Sequence, residues 1–127
     1  MLGPINNLSM KKNELENRLV SFADSVITLT SNLPQNFANN HLGKQLIRSS
    51  TAAALNYGEA QSGESLTDFI HKMKLVLKEL RESFINIKIL GKQNAPLRSP
   101  IAQVYKENNE LIAIFVSSVK TAQSNLK

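Results

Sequence analysis

HLGKQLIRSSTAAALNYGEAQ, residues 41–61, is the stretch on which the fold turns. Every third or fourth position along it gives Leu42, Leu46, Ser49, Ala53, Asn56 and Ala60, the spacing of one side of a helix. That side is largely stripped of bulk, since its middle is the run Ser49, Ser50, Thr51, Ala52, Ala53, Ala54. Small residues let a neighbouring backbone come close, so the pattern predicts a central helix pressed against others.

Working outward, the N-terminal side predicts a helix from about residue 12 to 32. Leu15, Leu19, Phe22, Val26, Leu29 and Leu33 form its inner stripe, with Ala23 and Ile27 broadening it. Pro34 ends it, because the residue before a proline is pushed out of helical geometry. The connection PQNFANN follows, with Asn39 or Asn40 as the cap of the second helix, which ends before Gly63.

On the C-terminal side, Ser65 caps a third helix with Asp68 at the capping-box position. Phe69, Met73, Val76, Leu80, Phe84 and Ile87 are its inward stripe, and Gly91 is its expected stop. A loop over 92–98 leads to Ser99 and Pro100, a cap followed by proline at the first helical position. The fourth helix carries Ile101, Val104, Asn108, Leu111, Phe115, Ser118 and Ala122 inward. Four helices of roughly 20 residues, each about 30 Å long, with short connections predict an all-α, antiparallel up-down-up-down four-helix bundle. Residues 1–11 read as a disordered or partly ordered segment, with Met10 as an alternative start, and 12–127 as the bundle.

Composition bounds the possible functions. At 127 residues the chain makes one domain with a sizeable core. The lack of cysteine excludes a disulfide framework and a thiolate zinc site and fits a cytoplasmic setting. No apolar run reaches the roughly 20 residues of a membrane span, and the N-terminus has no apolar signal core. A net charge of +5 raises the expectation of a polyanionic partner.

Catalysis finds no constellation. The two histidines, His41 and His71, lie on different helices. Glu79/Glu82 and Glu107/Glu110 are i,i+3 carboxylates, yet neither pair has the histidine that a di-iron bundle needs, and both are expected beside the apolar stripe. No phosphate loop, nucleophile elbow or metal cluster is present, so the expectation is a non-enzyme with no cofactor.

The third helix has one unusual charge pattern. His71, Lys74, Lys78, Arg81, Lys88 and Lys92 fall in a sector about 100° wide, interrupted only by Ile85, with Glu82 at its border. Two readings stand: a solvated face paired by neighbouring helices, or a ridge that neutralises phosphates, with Lys44 and Arg48 contributing. With no tryptophan and two tyrosines, base stacking is not evident. Polar Asn56, Asn108 and Ser118 on the inner stripes serve local hydrogen bonding or register, or face another subunit. Arg48 lies off the small seam, with Glu59 and Glu82 as candidate partners.

GKQLIRSSTAAALNYGEAQ followed by SLTDFIHKMKLVLKELRES resembles the four-helix bundle proteins encoded within intervening sequences of bacterial 23S rRNA genes. Gln45, Ile47, Arg48 and Ser49 carry the resemblance, then Asn56 and Glu59, Phe69, and Glu82 with Ser83. The family commonly has glycine after the first of these glutamates, where this chain has Ala60. The likeness covers nearly the whole chain, through residues that mostly pack helices. It implies a small cytosolic bundle that assembles into a homo-oligomeric ring, typically a pentamer. It also implies relatives among the accessory proteins of diversity-generating retroelements, which bind nucleic acid, RNA or DNA, and a reverse transcriptase. No catalytic residue follows from it; Arg48, Asn56, Glu59 and Glu82 follow as structural or interface positions. The alternative function is a protein-interaction scaffold with no nucleic-acid ligand.

Overall fold

The computed structural model describes residues 4–126, with side chains from residue 11 onward. Four helices follow one another: α1 (Pro4–Ser31), α2 (Phe37–Gln61), α3 (Leu66–Gln93) and α4 (Arg98–Ser124), with one 3-10 turn, Ala95–Leu97, before α4. Their 25 to 28 residues make rods of about 40 Å, longer than the sequence reading had them. The backbone is already helical from Pro4 rather than from residue 12. The expectation for the N-terminal segment falls in part on residues 1–3, outside those described.

Antiparallel packing is read from the cross-helix contacts. Between α2 and α3 with its C-cap, Asn39 meets Asn94, Ser49 meets Ser83 and Glu59 meets Lys72, so one number rises as the other falls. The small seam is what lets these two helices close. Ser49, Ser50 and Ala53 are at most 1% exposed, and α3 offers the equally buried Ser83 opposite Ser49. Ser49 Oγ and Ser83 Oγ are 2.7 Å apart, and Ser83 donates to the Glu79 carbonyl at 3.0 Å. Ser49 Oγ likewise has the Leu46 carbonyl of its own helix at 3.3 Å, so either serine can donate between the two hydroxyls.

The core fills with Leu19, Phe22, Val26, Leu46, Leu80, Ile87, Leu111 and Phe115. Tyr57 stands edge-on to Phe115, with ring centroids 5.6 Å apart. Asn108 is fully buried and donates to the Leu80 carbonyl at 3.1 Å, joining α4 to α3; its Oδ1 has no hydrogen-bond partner among the described residues.

Several expected positions are corrected. Asn36, not Asn39 or Asn40, caps α2 by accepting from the Asn39 amide at 2.8 Å. Asn39 is instead drawn inward to Asn94. Ser65 caps α3 as expected, accepting from the Asp68 amide. Gly91 does not stop α3, which runs on to Gln93. Ile101 packs over it, with its Cγ2 3.4 Å from where a Cβ would stand. Asn94 takes over the stop by donating to the Leu90 carbonyl, one of the groups a helix end leaves free. α4 starts at Arg98, with Pro100 inside its first turn and no cap bond from Ser99. The inner stripes shift by one residue in places: Ile70 is buried where Phe69 was expected, and Val119 where Ser118 was. Ile27 points outward at 43% exposure, and Glu79, expected beside the stripe, is buried.

Candidate nucleic-acid interface

Helix α3 turns its buried face to α2 and α4, which leaves its cations outward on a line of 3- and 4-residue steps. His71, Lys74, Lys78, Arg81, Lys88 and Lys92 are all exposed. Lys74, Lys78 and Arg81 line one groove of about 730 Å³ together with Gln45 and Arg48 of α2. Leu77, Glu82, Ile85 and Asn86 complete its walls, so four cations face a single carboxylate.

Arg48 reaches across the seam. Its Nη2 donates to Glu82 Oε1 at 3.2 Å, and its Nη1 stands 3.9 Å from Glu79 Oε1, beyond hydrogen-bond reach. The Arg48 side chain is 63% exposed, and most of its five donors remain free for a further acceptor. Lys78 Nζ lies 3.5 Å from Glu82 Oε2 in an exposed i,i+4 pair. Pairs this exposed are weak and yield readily to a stronger anion. Neither Lys74 nor Arg81 has an ion pair among the described residues. Of the two carboxylates weighed for Arg48, Glu82 is the partner. Glu59 instead takes Lys72 at 2.5 Å.

The structure divides the rest of the ridge. Lys88 and Lys92 line a second, smaller groove with Arg98, Ile101 and Tyr105 on the α4 side. Lys88 Nζ sits 5.5 Å above the Phe84 ring, which itself stacks on Tyr105. Lys44 stands apart from both, over Thr30, Ser31 and Gly43 where α1 meets α2. Asn56 is half-buried and donates to the Ala52 carbonyl of its own helix at 3.0 Å, which is local satisfaction.

Two features escaped the sequence reading. Arg18 of α1 binds both oxygens of Glu107, at 3.0 and 2.6 Å, and Glu110 at 3.1 Å. The Glu107/Glu110 pair is thus a receptor for a cation across the α1–α4 seam. The hydrogen bonds with Glu107 hold the guanidinium pKa above its ordinary value against the opposing effect of burial. A cation on the facing stripe, at a position level with the two carboxylates, was the only sequence sign. The second is Phe37, which is 87% exposed with its ring parallel to His41, centroids 6.0 Å apart. Placing the helix start three residues too late hid this i,i+4 pair inside a loop.

Among the described residues, no group of three or more acidic or histidine side chains is placed to hold a metal, and no helix is long and apolar enough to cross a membrane.

The family model described as 23S rRNA-intervening sequence protein matches residues 11–117. Among solved structures, the chain is similar to a crystal structure from Bacteroides thetaiotaomicron of a protein with unknown function from the S23 ribosomal protein family. The two share 25% identity with a TM-score of 0.76, covering 84% of this chain and 98% of that one. No curated protein matches the chain.

Proposed function

The chain belongs to the 23S rRNA-intervening sequence protein family, and from that premise we propose that it is a non-enzymatic, ring-forming oligomer that binds RNA through the α2–α3 groove. The observation that carries this reading is the set Arg48, Lys74, Lys78 and Arg81 around one groove, with Lys74 and Arg81 unpaired among the described residues. Cations that no carboxylate neutralises are ready to displace counterions from a phosphate backbone. Four cations outnumber the two amides, Gln45 and Asn86, in the groove, so backbone and shape outweigh sequence in what it takes. Lys88 and Lys92 extend the positive face along the same helix, and Arg98 adds to it from the start of α4.

Fluorescence anisotropy with an RNA hairpin tests this. Three to four phosphate contacts predict that affinity falls on the order of 10²-fold between about 50 and 200 mM salt. Binding that ignores salt overturns the proposal.

A second reading has its own observation. Ile85 and Ile89 are 53% and 41% exposed in the midst of these cations, which favours a protein partner or another copy over that part of α3. Light scattering of the protein at micromolar concentration reads the ring; a monomer there removes the assembly from both readings.

A further inference from the structure

Phe37 has the most exposed large apolar side chain among the described residues, at 87%. Tyr105, at 37% the other exposed aromatic among the described residues, has a ring face already taken by Phe84. Phe37 is paired with the ring of His41, lying parallel at an interplanar angle of 6°. The pair is held at fixed spacing by the first turn of α2, which Asn36 caps, so the ring is presented on a rigid element.

What lies beyond the ring says what it faces. Helical spacing puts Phe37, His41, Lys44 and Arg48 on one outward side of α2, a run of about 16 Å. From Phe37 to Gly58 the helix has no acidic residue. Arg48, at the far end of that run, is also a wall of the α2–α3 groove with Lys74, Lys78 and Arg81. The register of α2 against α3, fixed by Asn39 on Asn94 and Arg48 on Glu82, sets His41 level with the stretch of α3 that carries Lys88 and Lys92. An open aromatic face at the head of an acid-free cationic path is the arrangement that single-stranded nucleic acid fits: bases stack on rings while cations follow the backbone. The interior of a duplex cannot use the ring, because its bases are stacked on one another.

We propose that Phe37, backed by His41, is a stacking platform for an unpaired base, the strand then passing over Lys44 and Arg48 into the α2–α3 groove. This rests on the groove being a nucleic-acid face, and it adds that the preferred ligand is single-stranded.

The test uses full-length protein, an RNA of about 12 nucleotides with 2-aminopurine at one position, and a blunt duplex of the same sequence. The expected result is quenching of 2-aminopurine on binding, and affinity for the single strand above that for the duplex. Phe37→Ala should weaken single-strand binding about tenfold, remove the quenching, and leave duplex binding and the salt slope unchanged. Phe37→Tyr should restore both losses. Lys74→Gln with Arg81→Gln should lower binding of both RNAs and flatten the salt slope. Unchanged single-strand affinity in Phe37→Ala overturns the platform while the groove stands. A change of oligomeric state in Phe37→Ala, read by light scattering, also overturns it and makes Phe37 a contact between copies. Wild-type protein that binds neither RNA overturns the groove and the platform together.

Discussion

Asn39 and Asn94, 55 residues apart in the chain, exchange amide hydrogen bonds of 2.9 and 3.0 Å while both are buried. The second amide proton of each goes to a nearby backbone carbonyl, Pro34 in the α1–α2 connection for Asn39 and Leu90 in the last turn of α3 for Asn94. All four N–H donors are used, which fixes how each amide is turned. The pair clasps the α1–α2 and α3–α4 connections at one end of the bundle.

Because the two amides satisfy each other and one backbone carbonyl apiece, removing one strands the other. Asn39→Ala or Asn94→Ala should each destabilise the fold by about 2–3 kcal/mol, and the double variant by less than the sum. Urea denaturation of the four proteins in a double-mutant cycle measures the coupling; additive losses would show that the clasp does not act as a unit.

The α2–α3 seam tolerates little added volume. Ala53 is 0% exposed, and Ala53→Leu should cost about 1–3 kcal/mol by overpacking, whereas Ala52→Leu, half-buried on the same helix, should cost less. Thermal melts of the two variants give the order directly.

Arg18 ties α1 to α4 through Glu107 and Glu110, with its own side chain 33% exposed and Glu107 31% exposed. Solvent screens such a pair, so Arg18→Met should lose about 1 kcal/mol or less, and the loss should shrink in high salt. Chemical denaturation in urea at low and high sodium chloride checks both statements.

Burial, with a smaller contribution from Glu16, raises the Tyr57 phenol above its ordinary value of 10.0. The folded state thus holds this proton more tightly than the unfolded chain does. Stability from it is full below the ordinary tyrosine range and is lost as pH climbs through the raised folded value. Tyr57→Phe should therefore lose less of its urea midpoint than the wild type between about pH 8 and about pH 11.5.

Lys74 and Arg81 have no acid partner among the described residues, so each contributes its charge to a phosphate undiminished. Lys74→Gln and Arg81→Gln should each lower the slope of log affinity against log salt by about 0.7–0.9. Lys72→Gln, whose partner Glu59 already neutralises it, should change the slope little. Anisotropy titrations of a hairpin RNA at several salt concentrations rank the three.

The periodicity of apolar and small residues was enough to determine four helices, their order, the close seam at Ser49 and Ala53, and the outward line of Lys74, Lys78 and Arg81. These follow from the geometry of a single helix, which any 3.6-residue pattern reveals. The tertiary structure decided the rest. A strict heptad drifts about 20° per repeat on a straight helix, so on α4 the buried stripe steps from Ser118 to Val119, and at the head of α3 from Phe69 to Ile70. Cap competition was a tertiary matter too: Asn39 serves the fold at Asn94, which leaves the cap to Asn36 and brings Phe37 into the helix. Only packing could place Glu79 under Arg48, give Glu82 to Arg48 and Glu59 to Lys72, and set Lys44 on a different groove from the α3 ridge. Each of these depends on which residues of a neighbouring helix stand level with a given turn, and that register is set by side chains meeting across the seams rather than by the pattern along any one of them.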